Sequence, residues 1–189
     1  MKKEIFLYLS ILLLSSIGCK AQQYPLNTYY ENIPNNAYIK DINNEYNKFV
    51  GNWKATINNK EVNLSIIKQD NRPIVILNKS YYSDVLLLRH NVLENNQIVE
   101  NTLDFTNDKV KAISMGIEID GSVLFDYEGL KCLVGNGFIN LAYIDSNHLK
   151  WNYQPQSTVI TNKNCSDYPA GGIKINLPYE PADIIFAKQ

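Results

Sequence analysis

The chain has 189 residues, of which 45% are hydrophobic and 11% aromatic, and its formal net charge is −1. This composition argues against wholesale disorder, because the chain can bury a sizeable core, and the length suits a single domain. Nucleic-acid binding normally needs a concentrated basic surface, and the near-neutral net charge gives no sign of one. No nucleic-acid partner is therefore predicted.

The N-terminus has the pattern of an export signal. Lys2 and Lys3 form a basic start, and the apolar run at 5–14 is too short to span a bilayer but suits a secretory leader. We therefore predict that residues 1–18 are a signal peptide and that the mature chain is exported.

The run "SIGC" at 16–19 resembles a bacterial lipobox, in which the cysteine is lipidated and becomes the mature N-terminus; Ser16 stands where the motif usually has Leu. The alternative is ordinary signal-peptidase cleavage after Ala21. The first interpretation predicts a lipid anchor at Cys19. That anchor would make the membrane a partner and hold the protein at its periplasmic face, with the outer membrane as the expected location.

Residues 19–46 are polar and rich in tyrosine, with Pro25 and Pro34. We predict a tether here that ends in a short helical turn. The remaining chain, 47–189, alternates apolar and polar residues between turn signals, which is typical of 8–10 short strands in a barrel or a sandwich. We favour an all-β fold, a small antiparallel meander β-barrel, because a closed barrel leaves no unpaired edge strand.

The stretch "FVGNWKAT" at 49–56 opens the first clear strand of this domain. A tight turn at 58–59 predicts a hairpin with the next strand, since Asn tolerates positive φ. Gly51 would leave space for a close approach, and Trp53 would plug one end of the core. Both are predicted to be structural. The predicted pairs are Gly51 with Ile66, Trp53 with Leu64, and Ala55 with Val62.

A second hairpin is predicted around "DGS" at 120–122, with a three-residue loop. This register places Ile119 opposite Val123 and Met115 opposite Tyr127, so that the apolar side chains share one face. The run "DIIFAK" at 183–188 is predicted to be the closing strand.

Three cysteines are an odd number for an oxidising compartment. If Cys19 carries lipid, Cys132 and Cys165 remain, and we predict a disulfide between them; two free buried thiols are the alternative. A loop of this length gives the bridge a stabilisation of about 3.7 kcal/mol on the chain-entropy estimate.

The layout resembles a Bacteroidetes family of small exported proteins and lipoproteins with no assigned function. In that family a leader ends in "CKAQ", a Tyr- and Asp-containing segment leads into "FVGTWK", and a strand before a terminal Lys closes the chain. Asn52 stands here where the family has Thr. The matching stretches are "CKAQ" (19–22), "YIKDINNE" (38–45), "FVGNWKATINNKEVNLSIIK" (49–68) and "ADIIFAKQ" (182–189).

A remoter similarity is to lipocalin-like barrels, which also begin with a helical turn followed by Gly-x-Trp, as at 51–53. In those barrels an arginine from the last strand stacks on the tryptophan. The two arginines of this chain, Arg72 and Arg89, both lie far from the predicted last strand.

Few residues indicate chemistry. His90 and His148 each fall in or beside a predicted strand, where a lone histidine is more often structural than catalytic. Cys132 with His148 would suggest a thiol nucleophile, but a disulfide explains Cys132 more simply. The sequence contains no nucleophile elbow, zinc-protease motif or phosphate loop, and "GNG" at 135–137 is interpreted as a turn.

Two further groups have weak functional interpretations. An acidic set could bind calcium or serve a glycosidase, although charges on a solvated face explain it as well. An aromatic set could stack on sugars, although strands favour aromatic residues for packing alone. The acidic set is Glu118, Asp120, Asp126 and Glu128, and the aromatic set is Tyr81, Tyr82, Trp151 and Tyr153.

These patterns predict an exported, non-catalytic barrel without a cofactor or a metal. It would bind a small apolar ligand or simply pack its own interior. The alternatives are an interaction module that docks on another envelope protein and, less favoured, an enzyme that acts on a glycan. A hollow interior would favour ligand binding, whereas a filled one with an exposed apolar patch would favour a partner.

Overall fold

The structure is a computed structural model that describes residues 22–156, 160–166, 168, 172–179 and 183–189. The predicted signal peptide 1–18 and the predicted lipidation site Cys19 lie outside these residues. The described strands are β1 (Gln23–Pro25), β2 (Tyr38–Lys40), β3 (Gly51–Ile57), β4 (Lys60–Ile76), β5 (Lys79–Glu94), β6 (Gln97–Asn101), β7 (Ala112–Ile117), β8 (Val123–Tyr127), β9 (Gly137–Asp145), β10 (His148–Pro155) and β11 (Ile184–Lys188). Short 3-10 helices span Tyr30–Asn32, Glu45–Lys48, Asn107–Lys109 and Lys131–Leu133.

Eight strands close into an antiparallel barrel in the order β3-β4-β5-β7-β8-β9-β10-β11, and β11 pairs back onto β3. The predicted all-β meander barrel is therefore confirmed. β6 pairs with the end of β5, while β1 and β2 add a parallel extension to the start of β5. We call the end of the barrel beside Ile57, Lys60 and Tyr127 the mouth, and the end beside Gly51, Val123 and Asp145 the base.

The first hairpin has the predicted register. Gly51 pairs with Ile66 and Trp53 with Leu64. Asn58 and Asn59 form the turn, both with positive φ, as a tight hairpin of twisted strands requires. The side chains of β3 therefore alternate, and Trp53 enters the core.

Large side chains fill the barrel interior. Trp53, Phe125, Trp151 and Phe186 are all fully buried there. Each indole N–H has a partner, since Trp53 donates to the Phe49 carbonyl at 2.9 Å and Trp151 donates to the Pro178 carbonyl at 3.0 Å. These positions suit structural roles for Gly51 and Trp53, and the core of the barrel is packed rather than hollow.

The second hairpin differs from its predicted register. Ile117, not Ile119, lies opposite Val123, and residues 118–122 form the loop. A bulge between Ser114 and Gly116 shifts the strand, so that Ser114 points inward and Met115 is 58% exposed. The shift originates at Gly116, whose φ is +147°. A Cβ added there would lie 2.6 Å from the carbonyl oxygen of Leu26, so the chains approach too closely for a side chain.

The predicted tether at 19–46 is also corrected, because its described part is folded onto the barrel. Asp84 of β5 accepts hydrogen bonds from the Tyr38 hydroxyl and, at 2.9 Å, from the Asp41 backbone N–H. The carboxylate of Asp41 in turn binds Lys68 at 2.8 Å. Although the segment is polar overall, four of its apolar side chains are buried and hold it on the barrel: Leu26, Ile33, Ala37 and Ile39. The predicted helical turn is the 3-10 helix Glu45–Lys48.

Candidate functional site

The residues that the sequence singled out for chemistry are scattered. His148 lies at the base and pairs with Asp145, while Cys132 lies at the mouth in a disulfide with Cys165. The Cα atoms of the two cysteines are 5.6 Å apart, as the predicted bridge requires. Because its sulfur is bonded, Cys132 is not a thiol nucleophile in this structure.

The acidic set is divided by β8. Glu118 and Asp120 lie in the exposed loop at the base, whereas Asp126 and Glu128 lie towards the mouth, where Glu128 pairs with Lys111 at 2.7 Å. Among the residues that the structure describes, no group of three or more His, Cys, Asp or Glu side chains could hold a metal ion.

The aromatic set does not form a sugar-binding platform. Trp151 and Tyr153 are buried and stack edge-on to each other, with ring centroids 6.1 Å apart. Tyr82 is exposed on β5, near the opposite end of the barrel. The "GNG" sequence lies where the turn at Val134–Gly135 leads into β9, and the Gly135 carbonyl accepts a hydrogen bond from the Tyr153 hydroxyl.

His90 has a more specific environment than the sequence suggested. It points into the barrel from β5 between Leu88 and Val92, and it is almost fully buried. Its Nε2 lies 2.6 Å from a carboxylate oxygen of Glu100, which β6 places beside it. Thr102 holds the backbone at this point by accepting from the His90 N–H at 2.7 Å and donating to the His90 carbonyl at 3.0 Å.

Glu100 is a largely buried carboxylate at the mouth, with its side chain 11% exposed. Its second oxygen accepts from the Asn176 side-chain amide at 3.0 Å. Burial alone would raise the pKa of Glu100, but the hydrogen bond and charge of His90, the Asn176 hydrogen bond and the charge of Lys60 outweigh it and lower that pKa. Glu100 is therefore an anion at neutral pH, and each oxygen has a further lone pair for another donor.

A cavity of about 240 Å³ opens beside this carboxylate. Apolar side chains form most of its wall, and the charged groups Lys131 and Lys174 also border it. The tyrosines Tyr127 and Tyr153 lie along its inner side. The apolar lining residues are Val99, Leu130, Val134, Ile173, Ile175 and Leu177.

Tyr127 is only 3% exposed as a whole residue, and it borders the cavity. Its ring packs edge-on against His90 at 5.8 Å between centroids and against Tyr153 at 6.0 Å. Burial, followed by the charges of Glu100 and Tyr153, raises the pKa of Tyr127 far above its ordinary value. The Tyr127 hydroxyl is thus neutral at neutral pH and can donate a hydrogen bond, and Tyr127 borders the cavity.

Segment 172–179 covers the mouth. Leu177 joins the barrel core, and the Asn176 carbonyl accepts from the Lys60 ammonium at 3.4 Å. The loop that carries Cys132 lies next to this segment, and the bridge to Cys165 ties it to the region after β10. Two long connections therefore meet above the cavity.

Sequence reasoning missed Glu100, Tyr127 and Asn176 as site residues. A signal for the first was present, because Glu100 follows Asn95–Asn96, a pair that favours a turn, directly after the strand-like run that contains His90. Polar residues at inward positions of paired strands are natural candidates for contact. The position of Asn176 depends on a long connection without regular structure, which gives no periodic signal.

The fold and the site define a small closed antiparallel β-barrel with a packed interior, whose mouth combines a buried carboxylate with a tyrosine hydroxyl. The chain belongs to a family of unknown function, DUF6705, whose family model matches residues 1–189. No curated protein and no solved structure matches the chain. Within the described residues, every helix is too short or too polar to pass through a bilayer.

Proposed function

We propose that this protein is a non-catalytic binding protein that holds a small ligand at the mouth of its barrel. The observation that carries the proposal is the cavity of about 240 Å³ that the ionised Glu100 and the neutral Tyr127 both line.

The chemistry of the wall defines the ligand class. Glu100 accepts hydrogen bonds, Tyr127 can donate one, and apolar side chains form most of the remaining wall, with Lys131 and Lys174 also bordering it. This combination suits a molecule with a short apolar body and a donor group such as an ammonium or a hydroxyl. The volume of about 240 Å³ is below the ~300–1,000 Å³ of ordinary ligand pockets, so the ligand is small.

Binding inside the barrel has less support than binding at the mouth. Trp53, Phe125 and Phe186 occupy the interior and are fully buried, so an apolar ligand there would have to displace core side chains. Overpacking a filled core costs about 1–3 kcal/mol or more. The sequence predicted a small apolar ligand; we propose instead a ligand that binds at the mouth and carries a polar group in addition to its apolar body.

Three probes of equal chain length test the proposal: n-butylamine, n-butanol and butyrate, each followed by NMR chemical-shift titration at millimolar concentration. The amine and the alcohol should shift resonances of the mouth, and butyrate should bind more weakly than both. Glu100→Gln should weaken amine binding about tenfold, because a hydrogen bond to a charged group contributes ~1.5–3 kcal/mol.

Tyr127→Phe should weaken both ligands about fivefold, since it removes one neutral hydrogen bond. Tyr143→Phe is the matched control, because Tyr143 lies at the base against Phe49. If butyrate binds as tightly as butylamine, or if neither mouth variant changes the affinities, the proposal is wrong.

We also propose that the chain is exported and lipidated at Cys19, on the strength of its leader and the "SIGC" run. Metabolic labelling with a palmitate analogue should mark the wild type and leave Cys19→Ser unmarked. Equal labelling of the two would contradict lipidation, and a mature N-terminus after Ala21 would support ordinary secretion instead.

A further inference from the structure

The hairpin between β4 and β5 ends in an apolar tip. The tip runs from Pro73 to Asn78, and none of its six residues is charged. Val75 is 77% exposed and Leu77 is 88% exposed, with Ile76 exposed between them. A short β-rich apolar run of this kind promotes aggregation when it stays in water, so a covering surface is expected for it.

Tyrosines and a lysine surround this tip. The Tyr30 hydroxyl donates to the Ile76 carbonyl at 3.1 Å, and the adjacent Tyr29 is exposed. The Lys79 ammonium lies 4.5 Å from the centroid of the Tyr30 ring and donates to the Tyr30 carbonyl at 2.7 Å. Tyrosine is enriched where protein meets the headgroup region of a bilayer, and lysine extends its charge from apolar surfaces towards water.

The path of the chain places its N-terminal part on the same side as the tip. β1 runs parallel to β2, and β2 runs parallel to β5, so all three run away from the tip. The chain therefore enters β1 at Gln23 from the side of the tip. Cys19 precedes Gln23 by four positions, a maximum reach of about 13 Å. A lipid on Cys19 would start near the level of the tip.

We propose that the β4–β5 tip inserts into the surface of a lipid bilayer, with Val75, Ile76 and Leu77 among the acyl chains and the tyrosines at headgroup level. The inference rests on the tip and on the chain path from the proposed lipid at Cys19, and it does not depend on a ligand at the mouth. It orients the molecule: β5 runs from the tip to Glu94, which pairs with Lys60 at the mouth, so the mouth faces away from the membrane.

An environment-sensitive NBD dye tests this orientation. It is attached to Asn78→Cys at the tip or to Gln97→Cys, an exposed position at the mouth end. The full chain is purified as the cell processes it and mixed with vesicles of phosphatidylethanolamine and phosphatidylglycerol. The tip dye should shift to shorter wavelength and be quenched by lipids with brominated acyl chains, whereas the mouth dye should do neither.

The double variant Val75→Asp and Leu77→Asp should abolish the shift of the tip dye and weaken vesicle binding about tenfold or more, because two apolar side chains lose their burial. Ile98→Asp is the control, since Ile98 is also apolar and is 60% exposed on β6 near the mouth. Unchanged circular dichroism would show that the variants are folded.

Three outcomes would overturn the proposal. The tip dye could remain in water, or Ile98→Asp could weaken binding as much as the tip variant does. Alternatively, the shift could depend on protein concentration and resist brominated lipid, with a larger sedimenting species. That last result would assign the tip to a second copy of the chain rather than to a bilayer.

Discussion

The ammonium group of Lys188 lies over the indole ring of Trp53, 5.1 Å from the ring centroid. The two residues are also backbone partners in the pairing of β11 with β3, the contact that closes the barrel. Lipocalin-like barrels, which the sequence remotely resembles, place an arginine of the last strand on this tryptophan. Here Lys188 of the last strand provides the cation. Gly51 lies beside it, and a Cβ added at Gly51 would lie 3.2 Å from the Cε atom of Lys188.

Trp53→Ala should come close to unfolding the protein. The indole is fully buried and its N–H bonds to the Phe49 carbonyl, so truncation leaves a large cavity and an orphaned acceptor. The expected cost is about 3–5 kcal/mol against a typical domain stability of ~5–15 kcal/mol. Urea denaturation measures the loss. Asn52→Ala, at an exposed position one residue away, should stay within about 0.5 kcal/mol, and an equal loss in both would contradict a local role for the indole.

Gly51→Ala tests why a glycine stands at this position. Its φ is +140°, which other residues rarely adopt, and the side chain of Lys188 approaches it closely. Backbone strain should cost about 1–3 kcal/mol. A double-mutant cycle with Lys188→Ala separates the two causes. If backbone conformation decides, the cost persists without the lysine side chain. A cost that disappears in the double mutant would show that space decides.

The hairpin at 58–59 could be predicted from sequence because its determinants are local. Both asparagines adopt positive φ, and the apolar residues of the two strands then fall on one face. Asn35–Asn36 and Asn95–Asn96 also lie at turns or loops, with positive φ at Asn36, Asn95 and Asn96. Local turn chemistry and period-two patterning therefore determine the register of such strands.

The second hairpin could not be predicted in the same way, because its bulge depends on a distant contact. Gly116 is where the carbonyl oxygen of Leu26 comes closest, and the bulge turns Ser114 inward to bond the Tyr46 hydroxyl. Nothing near "DGS" in the sequence indicates that Leu26 lies there. The contact between Asn176 and Glu100 at the mouth could not be predicted for the same reason, because the two residues are 76 positions apart in the chain.

Removal of the disulfide should destabilise the protein without changing the barrel. The bridge from Cys132 to Cys165 closes a separation of 33 positions, for which the chain-entropy estimate is about 3.7 kcal/mol. Cys132→Ser should lower the urea midpoint by a corresponding amount, and a reductant should then have no further effect on that variant. If the wild type and Cys132→Ser unfold at the same urea concentration, the bridge does not form in solution.

The stability contributed by Glu100 should depend on pH. Its pKa in the folded protein is lowered from an ordinary value of about 4.3, so folding favours the ionised form. The contribution is therefore complete above about pH 4.3 and is lost as the pH falls through the folded pKa. The difference in unfolding free energy between the wild type and Glu100→Gln should be largest near neutral pH and should shrink as the solution is acidified.

Glu61→Gln gives the matched comparison for this prediction. The pKa of Glu61 is also lowered, chiefly by its hydrogen bond from Lys54, but this ion pair is about one-third exposed. About 1 M salt shortens the Debye length to roughly 3 Å and should screen the Lys54–Glu61 pair, while the buried His90–Glu100 pair should retain its effect. Denaturation in low and high salt measures both. If high salt also removes the pH-dependent difference between the wild type and Glu100→Gln, then Glu100 is solvated in solution and its pairing with His90 contributes little to stability.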